Sequence, residues 1–399
     1  MLHSISMQRT FVIGVGMTAF EKPGARDWDY PEMGQEAGKR ALVDAGVPYS
    51  AVGDASIGYC YGDSTSGQRA LYELGLSGIP VVNVNNNCAT GSSALHLARR
   101  AVRHGVTDCA LALGFEKMSR GSLGSHFADR TPPLDKHFAG MVERHGWASA
   151  PPAAQLFGNA ADEYMARYGT KPEAFAAVAE KNHRHSADNP YSQFREVYTR
   201  EEILDSPTVF GALTMLQCCP TSDGGAAAVV AGERFVEEHA LWDRAVEIVG
   251  QGMASDTPDS FAGSDIALVG SGMTRDAARL AYDESGLGAE DAQVVELHDC
   301  FSPNEVFSYE ALGLCGEGEG AALALDGATT YGGRWVVNPS GGLISKGHPL
   351  GATGLAQCAE MVWQLRGTAQ ARQVDGATVG ITQNVGLGGV AVVTVFRKP

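Results

Sequence analysis

Short apolar runs alternate with helical repeats along most of the chain. Four runs in the first third have the apolar composition of buried strands: residues 10–16, 55–60, 81–85 and 108–115. Residues 32–45 and 89–104 instead space their apolar positions as an amphipathic helix does, and Gly46 predicts the end of the first helix. Strands that alternate with helices predict an α/β protein with a largely parallel sheet.

The C-terminal third repeats this pattern. Segment 37–46 resembles segment 277–286, and residues 88–98 resemble residues 351–361. The first match is followed in both places by a buried strand, which in the second copy is residues 294–300. The repetition predicts two similar α/β halves that stack about a pseudo-twofold axis.

A middle region differs from both halves. Residues 119–244 are rich in turn residues and scattered charge, contain a helical stretch near 155–187, and are too long for a plain connection. We predict that they form an inserted loop domain that covers the ligand. The N-terminal half then comprises residues 1–118 plus about 245–270, whose strand returns to the first sheet, and the C-terminal half comprises residues 271–399.

The chain is acidic, with a formal net charge of −16 over 399 residues. This charge argues against nucleic acid as a partner, because nucleic-acid recognition needs a basic surface. It does not exclude a phosphate-bearing ligand, since helix N-termini and a local cluster of Arg and Lys can bind phosphate on an acidic protein.

Targeting features also narrow the prediction. No apolar run reaches the roughly 18 residues that cross a bilayer, so no transmembrane segment is expected. The first residues lack the long apolar core and cleavage site of a signal peptide, so the 8 cysteines should mostly be free thiols in a reducing compartment. Abundant Ala and Gly, with more Arg than Lys, are typical of GC-rich bacterial genomes, and we expect a cytoplasmic protein.

Cys88 stands between an apolar run and the predicted helix 89–104. At such a corner the helix dipole and free backbone amides stabilise a thiolate and lower the pKa of the thiol. The small residues that follow leave room for a substrate. These features favour a nucleophile, and a buried structural cysteine at a tight turn is the alternative.

His348 lies in the glycine-rich segment 340–354, between Gly347 and Pro349. A histidine on a rigid loop suits general-base catalysis near neutral pH. The alternative is a phosphate-binding loop with an incidental histidine, although the segment lacks the Gly-Lys-Ser/Thr ending of a P-loop.

An apolar strand delivers His298, Asp299 and Cys300 to its C-terminal end, the edge where open α/β sheets bind ligands. The alternative is a metal ion bound by all three side chains. Neighbouring residues of a strand point to opposite faces, so the three do not easily share one ion, and we expect no metal. Asp299 should point away from the other two and act structurally.

Three further patterns each lead to a prediction. Gly386 lies in a glycine-rich turn between two strands, where backbone N–H groups can be aimed at an oxyanion. Gly14 and Gly16 resemble part of a dinucleotide fingerprint, but no helix continues after them and no nicotinamide cofactor is expected. His183 and His185 lie two apart on a predicted helix and are expected on a solvated face.

Three motifs together resemble the thiolase family: Cys88 in NNNCATGSSAL, HDCF at 298–301 and GHPLGATG at 347–354. Within that family the resemblance is to the sterol-carrier-protein-x type, without a fused sterol carrier domain, and it covers nearly the whole chain. It implies the thiolase fold, in which two duplicated βαβαβαββ halves form a five-layer α-β-α-β-α arrangement with an inserted loop domain.

The resemblance implies a role for each motif residue. Cys88 matches the nucleophile that accepts the acyl group, and His348 matches the base that activates it. Many thiolases carry an acid/base cysteine in a C-terminal Cys-x-Gly motif, but here that position is Asn384. In the sterol-carrier-type branch Cys300 takes this task, and His298 stands where other thiolases have an Asn that holds a catalytic water.

The implied activity is cleavage of a 3-ketoacyl-CoA by CoA through acyl-Cys88, in fatty-acid, branched-chain or sterol side-chain β-oxidation. Gly386 matches the glycine whose N–H joins that of Cys88 in an oxyanion hole. Acyl-CoA and CoA would be the partners, with CoA a co-substrate rather than a cofactor, and a homodimer is implied, with a tetramer possible. The alternatives are a condensing or retro-aldol enzyme of the thiolase superfamily and a non-catalytic lipid-transfer or scaffold protein.

Overall fold

The computed structural model describes residues 7–119 and 126–399. Its strands lie at β1 Thr10–Met17, β2 Asp54–Gly58, β3 Val81–Val84, β4 Cys109–Glu116, β5 Thr208–Phe210, β6 Leu213–Thr214, β7 Gly224–Gly232, β8 Val246–Ala254, β9 Val294–Glu296, β10 Val336–Val337, β11 Val379–Gly386 and β12 Val390–Arg397. Its helices lie at α1 Tyr30–Ala45, α2 Ser66–Leu71, α3 Thr90–Arg103, α4 Asp135–His145, α5 Pro152–Tyr168, α6 Pro172–Ser186, α7 Arg200–Asp205, α8 Glu233–Glu238, α9 Asp265–Leu268, α10 Ser271–Ser285, α11 Ser302–Ala311, α12 Gly320–Leu325, α13 Gly342–Lys346 and α14 Leu350–Arg366.

The main sheet has the strand order β10-β9-β11-β12-β8-β1-β7-β4-β2-β3. Read outward from its centre, the order is symmetric: β1, β7, β4, β2 and β3 on one side correspond to β8, β12, β11, β9 and β10 on the other. In each half the three outer strands are parallel, and β7 and β12 pair antiparallel with their neighbours. The α/β class and the duplication are confirmed, and the halves join through two residue pairs between β1 and β8.

The helices arrange the two halves in layers. α3 and α14 pack against each other in the centre, where α14 also contacts β4 and β7. α1 covers the outer face of β1 and β7, and α10 covers that of β8 and β12. Because α14 lies between two sheet layers, it is apolar around almost its whole circumference and nearly all its residues are buried. This is the five-layer arrangement that the motifs imply.

The glycines that resemble a dinucleotide fingerprint have a packing role. A Cβ atom at Gly14 would lie 2.4 Å from the Ala41 carbonyl oxygen, and one at Gly16 would lie 2.5 Å from the Ala41 nitrogen. These positions in β1 must lack a side chain because α1 crosses directly over them. The same helix ends at Gly46, as predicted, where a left-handed φ of 70° terminates the backbone pattern.

The region between the halves is mainly helical. The predicted helical stretch near 155–187 is two helices, α5 and α6, separated at Gly169, whose φ is +69°, and at Pro172. α6 packs on α11, α12 and α13 of the C-terminal half. The expectation that His183 and His185 face solvent is wrong, since both are buried in α6, where His183 bonds the Leu216 carbonyl and His185 the Asn338 carbonyl.

The predicted domain boundaries need two corrections. β7, at 224–232, lies inside the predicted 119–244 loop domain but pairs with β1 and β4 in the first half of the sheet. β8, at 246–254, was expected to return to the first sheet, yet it pairs with β12 over seven residue pairs and with β1 over two. A buried apolar strand contains no local information about its neighbours, so only the hydrogen-bond register assigns it.

None of the helices within the described ranges has both the length and the apolar character needed to cross a membrane.

Candidate active site

Cys88 lies in the turn between β3 and α3. Thr90 fastens this turn, because its hydroxyl donates to the Asn87 carbonyl at 2.6 Å and accepts from the Asn86 amide at 2.9 Å. Asn87 has a left-handed φ of 51°, and its side-chain amide donates to the Leu387 carbonyl at 2.8 Å. The turn therefore holds Cys88 against the β11–β12 hairpin.

Two buried histidines lie beside this cysteine. The Cys88 sulfur and one ring nitrogen from each of His298 and His348 all lie within 4.8 Å of one another. The two imidazole rings are nearly perpendicular, at 81°, and their centroids are 5.2 Å apart. The fold thus brings together three residues that the sequence analysis selected from three distant segments.

The hydrogen bonds of His348 assign its tautomer. Its Nδ1 lies 2.7 Å from the Thr353 hydroxyl oxygen, and that hydroxyl gives its single proton to the Pro349 carbonyl at 2.9 Å. Both contacts can be hydrogen bonds at once only if Nδ1 carries the ring proton and donates to Thr353, and we assign this tautomer. Nε2 is buried, and no group in the described part of the chain bonds to it. The lone pair on Nε2 is free to accept a proton.

The surroundings of His348 keep the ring neutral. Burial lowers its pKa to about 3, and the positive charge of Lys346 acts in the same direction. The backbone is also fixed, because the His348 amide donates to the Ser222 hydroxyl at 2.9 Å. A neutral, fixed imidazole with a free lone pair has the properties of a general base.

The pKa of Cys88 differs from the prediction. Although Cys88 keeps some accessible surface, loss of hydration around its sulfur raises the pKa to about 12, and the buried carboxyl of Glu116 adds to the increase. The amides of Cys88 and Leu387 lower the pKa, but they do not offset burial. The predicted lowering is wrong, because the helix terminus competes with a much stronger desolvation. The resting sulfur is a thiol that needs a base.

His298 is fixed by its neighbours on β11. Its amide donates to the Gln383 side-chain oxygen at 2.8 Å, and its Nδ1 lies 2.9 Å from the side-chain nitrogen of Asn384. Burial lowers the pKa of His298 well below its usual range, and the neighbouring His348 lowers it further. Both histidines are therefore neutral in the resting protein.

Cys300 and Asp299 follow His298 and have different surroundings. The Cys300 carbonyl accepts from the Cys219 amide at 2.8 Å, and burial raises the pKa of the Cys300 thiol well above its usual value, with Cys219 and Cys88 contributing. Asp299 instead accepts from the Leu343 amide at 2.7 Å. The polar atoms of the HDC run thus have separate partners, although the run lies beyond β9, which ends at Glu296, and Cys300 keeps a proton to donate.

Gly386 packs directly under the Cys88 turn. A Cβ atom at this position would lie 2.1 Å from the Asn86 carbonyl oxygen, so only glycine fits. The assignment of an oxyanion amide to Gly386 stays a prediction. The amides that stabilise negative charge on the Cys88 sulfur are its own and that of Leu387, one residue further along. Leu387 has no side-chain chemistry, and the sequence analysis did not identify it.

A cavity of about 560 Å³ lies next to this cluster. One wall is the turn at 85–87, the second is the hairpin at 386–390, and the third comes from residues 126–138. The third wall belongs to the inserted region, and it includes Arg130 and Phe127. The volume of the cavity is in the range of small-molecule sites, and the cavity lining combines apolar and polar side chains as such sites do.

Comparison with protein families identifies the chain. A family model described as "Thiolase, N-terminal domain" matches residues 10–234, and one described as "Thiolase C-terminal domain-like" matches residues 252–398. The chain belongs to the thiolase family. The resemblance stated from its motifs is thereby confirmed.

Individual relatives agree with this assignment. "Sterol carrier protein 2" of Rattus norvegicus is 58% identical to this thiolase over 399 residues, which are 99% of this chain and 73% of that protein. The solved structure described as "Ltp2-ChsH2(DUF35) aldolase" has a TM-score of 0.79 at 23% identity and covers 98% of this chain and 97% of that one. Human mitochondrial 3-ketoacyl-CoA thiolase has a TM-score of 0.73 at 19% identity, with 98% and 99% covered. Both structures share the thiolase fold.

Proposed function

We propose that this thiolase cleaves a 3-ketoacyl-CoA with CoA through an acyl thioester on Cys88. Members of the family are acyltransferases. The observation that carries the proposal is the cluster of Cys88, His298 and His348, whose sulfur and ring nitrogens lie within 4.8 Å of one another. Nε2 of His348 is buried and has no hydrogen-bond partner among the described residues. The human mitochondrial 3-ketoacyl-CoA thiolase supports the same activity by name and fold.

In the first half-reaction His348 takes the proton of the Cys88 thiol, and the sulfur attacks the 3-keto carbon. The amides of Cys88 and of the 386–387 backbone stabilise the oxyanion that forms. The bond between C2 and C3 then breaks. The acyl group stays on Cys88, and the electron pair leaves as the enolate of acetyl-CoA, or of propionyl-CoA when the substrate carries a 2-methyl branch.

In the second half-reaction the proton balance is restored. Cys300 gives its proton to C2 of the enolate and then takes the proton of the incoming CoA thiol. The CoA sulfur attacks the acyl-Cys88 carbonyl, and the Cys88 sulfur leaves and recovers its proton from His348. Cys300 suits the acid step, because burial raises the pKa of its thiol and keeps the proton in place until a strong base appears.

The proposed partners are acyl-CoA and CoA, with no cofactor or metal needed, since His348 and Cys300 carry both protons. The proposed assembly is a homodimer. Strand β3 forms one edge of the sheet, and Val82 and Leu76 beside it are 48% and 82% exposed, which leaves an apolar edge for a second copy to cover. Sedimentation at micromolar concentration measures the oligomeric state. A cytoplasmic location stays a prediction.

The decisive test follows the absorbance of the magnesium-complexed enolate for a panel of 3-ketoacyl-CoA substrates, with and without free CoA. The wild type should consume them only when CoA is present, and Cys88→Ala should not. Intact-protein mass spectrometry should show an acyl adduct on wild-type protein treated with substrate before CoA is added.

The outcomes separate the alternatives. Loss of substrate that needs neither CoA nor Cys88 would favour a retro-aldol enzyme, in line with the aldolase of similar fold. A folded protein that binds CoA but consumes none of the 3-ketoacyl-CoA substrates would contradict acyl transfer and favour a lipid-transfer or scaffold role. The panel would include straight, 2-methyl-branched and sterol side-chain acyl groups. The rates at which these substrates are consumed would assign the substrate class.

A further inference from the structure

Asn384 of β11 links the two halves of the site. The hydroxyl of Ser92, on α3, donates to the Asn384 side-chain oxygen at 3.2 Å. The Asn384 side-chain nitrogen lies 2.9 Å from Nδ1 of His298. All three side chains are buried. A chain of hydrogen bonds therefore runs from α3, the helix that follows the nucleophile, through Asn384 of β11 to the ring of His298.

This chain of hydrogen bonds has a direction. Because the Asn384 oxygen accepts from Ser92, its amide nitrogen faces His298, and an amide nitrogen can only donate. Nδ1 of His298 must then accept with its lone pair, so the ring proton resides on Nε2. Burial also disfavours a doubly protonated ring here, as the lowered pKa of His298 indicates.

The two histidines therefore have opposite polarity. His348 is protonated on Nδ1 and offers an acceptor, whereas His298 is protonated on Nε2 and offers a donor. Acyl transfer needs both properties, since a proton must leave the nucleophile while a negative oxygen is stabilised nearby. Two histidines of the same tautomer would supply only one of these properties.

We propose that Asn384, anchored by Ser92, is a positioning residue that holds His298 in its Nε2–H form as a hydrogen-bond donor to the oxyanion of the reaction. The inference rests on the proposed function for the identity of the oxyanion. It also assigns a purpose to the position where many thiolases carry an acid/base cysteine. An amide there cannot exchange protons, but it can fix the tautomer of its neighbour.

The test measures the tautomer and the rate separately. In protein labelled with 15N at histidine, two-bond proton–nitrogen correlations distinguish the Nε2–H and Nδ1–H forms, and the His298→Gln variant assigns the signal. The wild type should show Nε2–H. In Asn384→Leu the signal should shift towards a mixture with Nδ1–H, and kcat should fall about 10- to 100-fold with KM changed less than about threefold, since one aimed oxyanion donor is worth about 100- to 1000-fold in kcat.

The Asn384→Asp variant should change the pH profile. A carboxylate beside Nδ1 favours a proton there, so His298 keeps its Nε2–H donor only while it is an imidazolium. Activity should therefore persist at low pH and be lost as pH rises through the new pKa of His298, a loss that the wild type lacks. Ser92→Ala should lower kcat in the same direction by a smaller factor, which keeps the test decisive if Asn384→Leu folds poorly.

Thr382→Val is the matched control, because it removes a buried polar group from the same face of the same strand. It should leave the His298 signal and kcat unchanged. An Nδ1–H signal in the wild type, or an Asn384→Leu variant with wild-type kcat, would overturn the inference. If the tautomer responds as expected but no 3-ketoacyl-CoA is cleaved, the positioning role stands and the proposed function fails instead.

Discussion

Nδ1 of His348 lies 2.7 Å from the hydroxyl oxygen of Thr353, which itself donates to the carbonyl of Pro349. The bond from a threonine hydroxyl to the carbonyl four residues earlier is common in the first turn of a helix. Here it uses the only proton of the hydroxyl, so the oxygen can act solely as an acceptor towards the ring. An ordinary helix contact therefore determines which ring nitrogen of the proposed base carries the proton.

Thr353→Val should lower kcat about 10- to 100-fold. Valine has the same shape but leaves the buried Nδ1–H without an acceptor, which costs about 1–3 kcal/mol and lets the ring adopt the wrong tautomer. Thr353→Ser, which retains the hydroxyl, should keep most of the activity. Steady-state kinetics of both variants with one substrate from the panel check this. Equal loss in the two variants would argue for packing instead of hydrogen bonding.

Alkylation of Cys88 should depend steeply on pH. Because burial raises the pKa of this thiol to about 12, the thiolate fraction should grow about tenfold per pH unit between about pH 6 and pH 9. The measurement is the iodoacetamide reaction rate of the peptide that contains Cys88, followed by mass spectrometry, with Cys88→Ala as the blank. A rate that is already constant near pH 6 would indicate a preformed thiolate–imidazolium pair and contradict this picture.

Cys300→Ala should abolish exchange of the acetyl-CoA methyl protons with D2O. That exchange needs a group that adds and removes a proton at C2, and general acid–base catalysis contributes about 100- to 10,000-fold. Cys219→Ala is the control, because Cys219 is a neighbouring, partly buried thiol whose amide bonds the Cys300 carbonyl. NMR of acetyl-CoA in D2O should show exchange with the control only. If both variants lose it, the disturbance is structural.

Gly386→Ala should destabilise the protein and lower its catalytic rate. The added Cβ would lie 2.1 Å from the Asn86 carbonyl oxygen, so the Cys88 turn must move, at a cost of about 1–3 kcal/mol. Gly272→Ala is the control, since a Cβ there meets nothing within 4 Å in the first turn of α10 and should stabilise by up to about 1 kcal/mol. Urea denaturation compares the two. Similar free energies of unfolding in both variants would sink the close-packing argument.

Much of the site was predictable because its residues stand in ordered local patterns. A cysteine at a strand-to-helix corner, a histidine in a glycine-rich loop and the HDCF run each suggest chemistry, and their order identifies the thiolase family. What the patterns could not supply is Thr353, Leu387 and the role of Asn384. These contribute a hydroxyl, a backbone amide and a side-chain amide that become meaningful only beside a particular partner.

The errors have one physical origin. The pKa of Cys88, the burial of His183 and the partners of β7 and β8 all depend on what surrounds a residue in space. The helix N-terminus that should lower the pKa of Cys88 is present, but desolvation by the neighbouring elements outweighs it. A local sequence pattern shows the helix N-terminus but not the desolvation.

The sequence by itself determined the α/β class, the duplicated halves, the helix end at Gly46 and the family, because backbone periodicity and motif order are local properties of the chain. The tertiary structure alone decided which strand joins which half, how strongly each thiol holds its proton, and which nitrogen of His298 and His348 bears one. Hydrogen-bond direction and desolvation depend on atoms that are distant in the chain, so these properties arise only when the two halves close around Cys88.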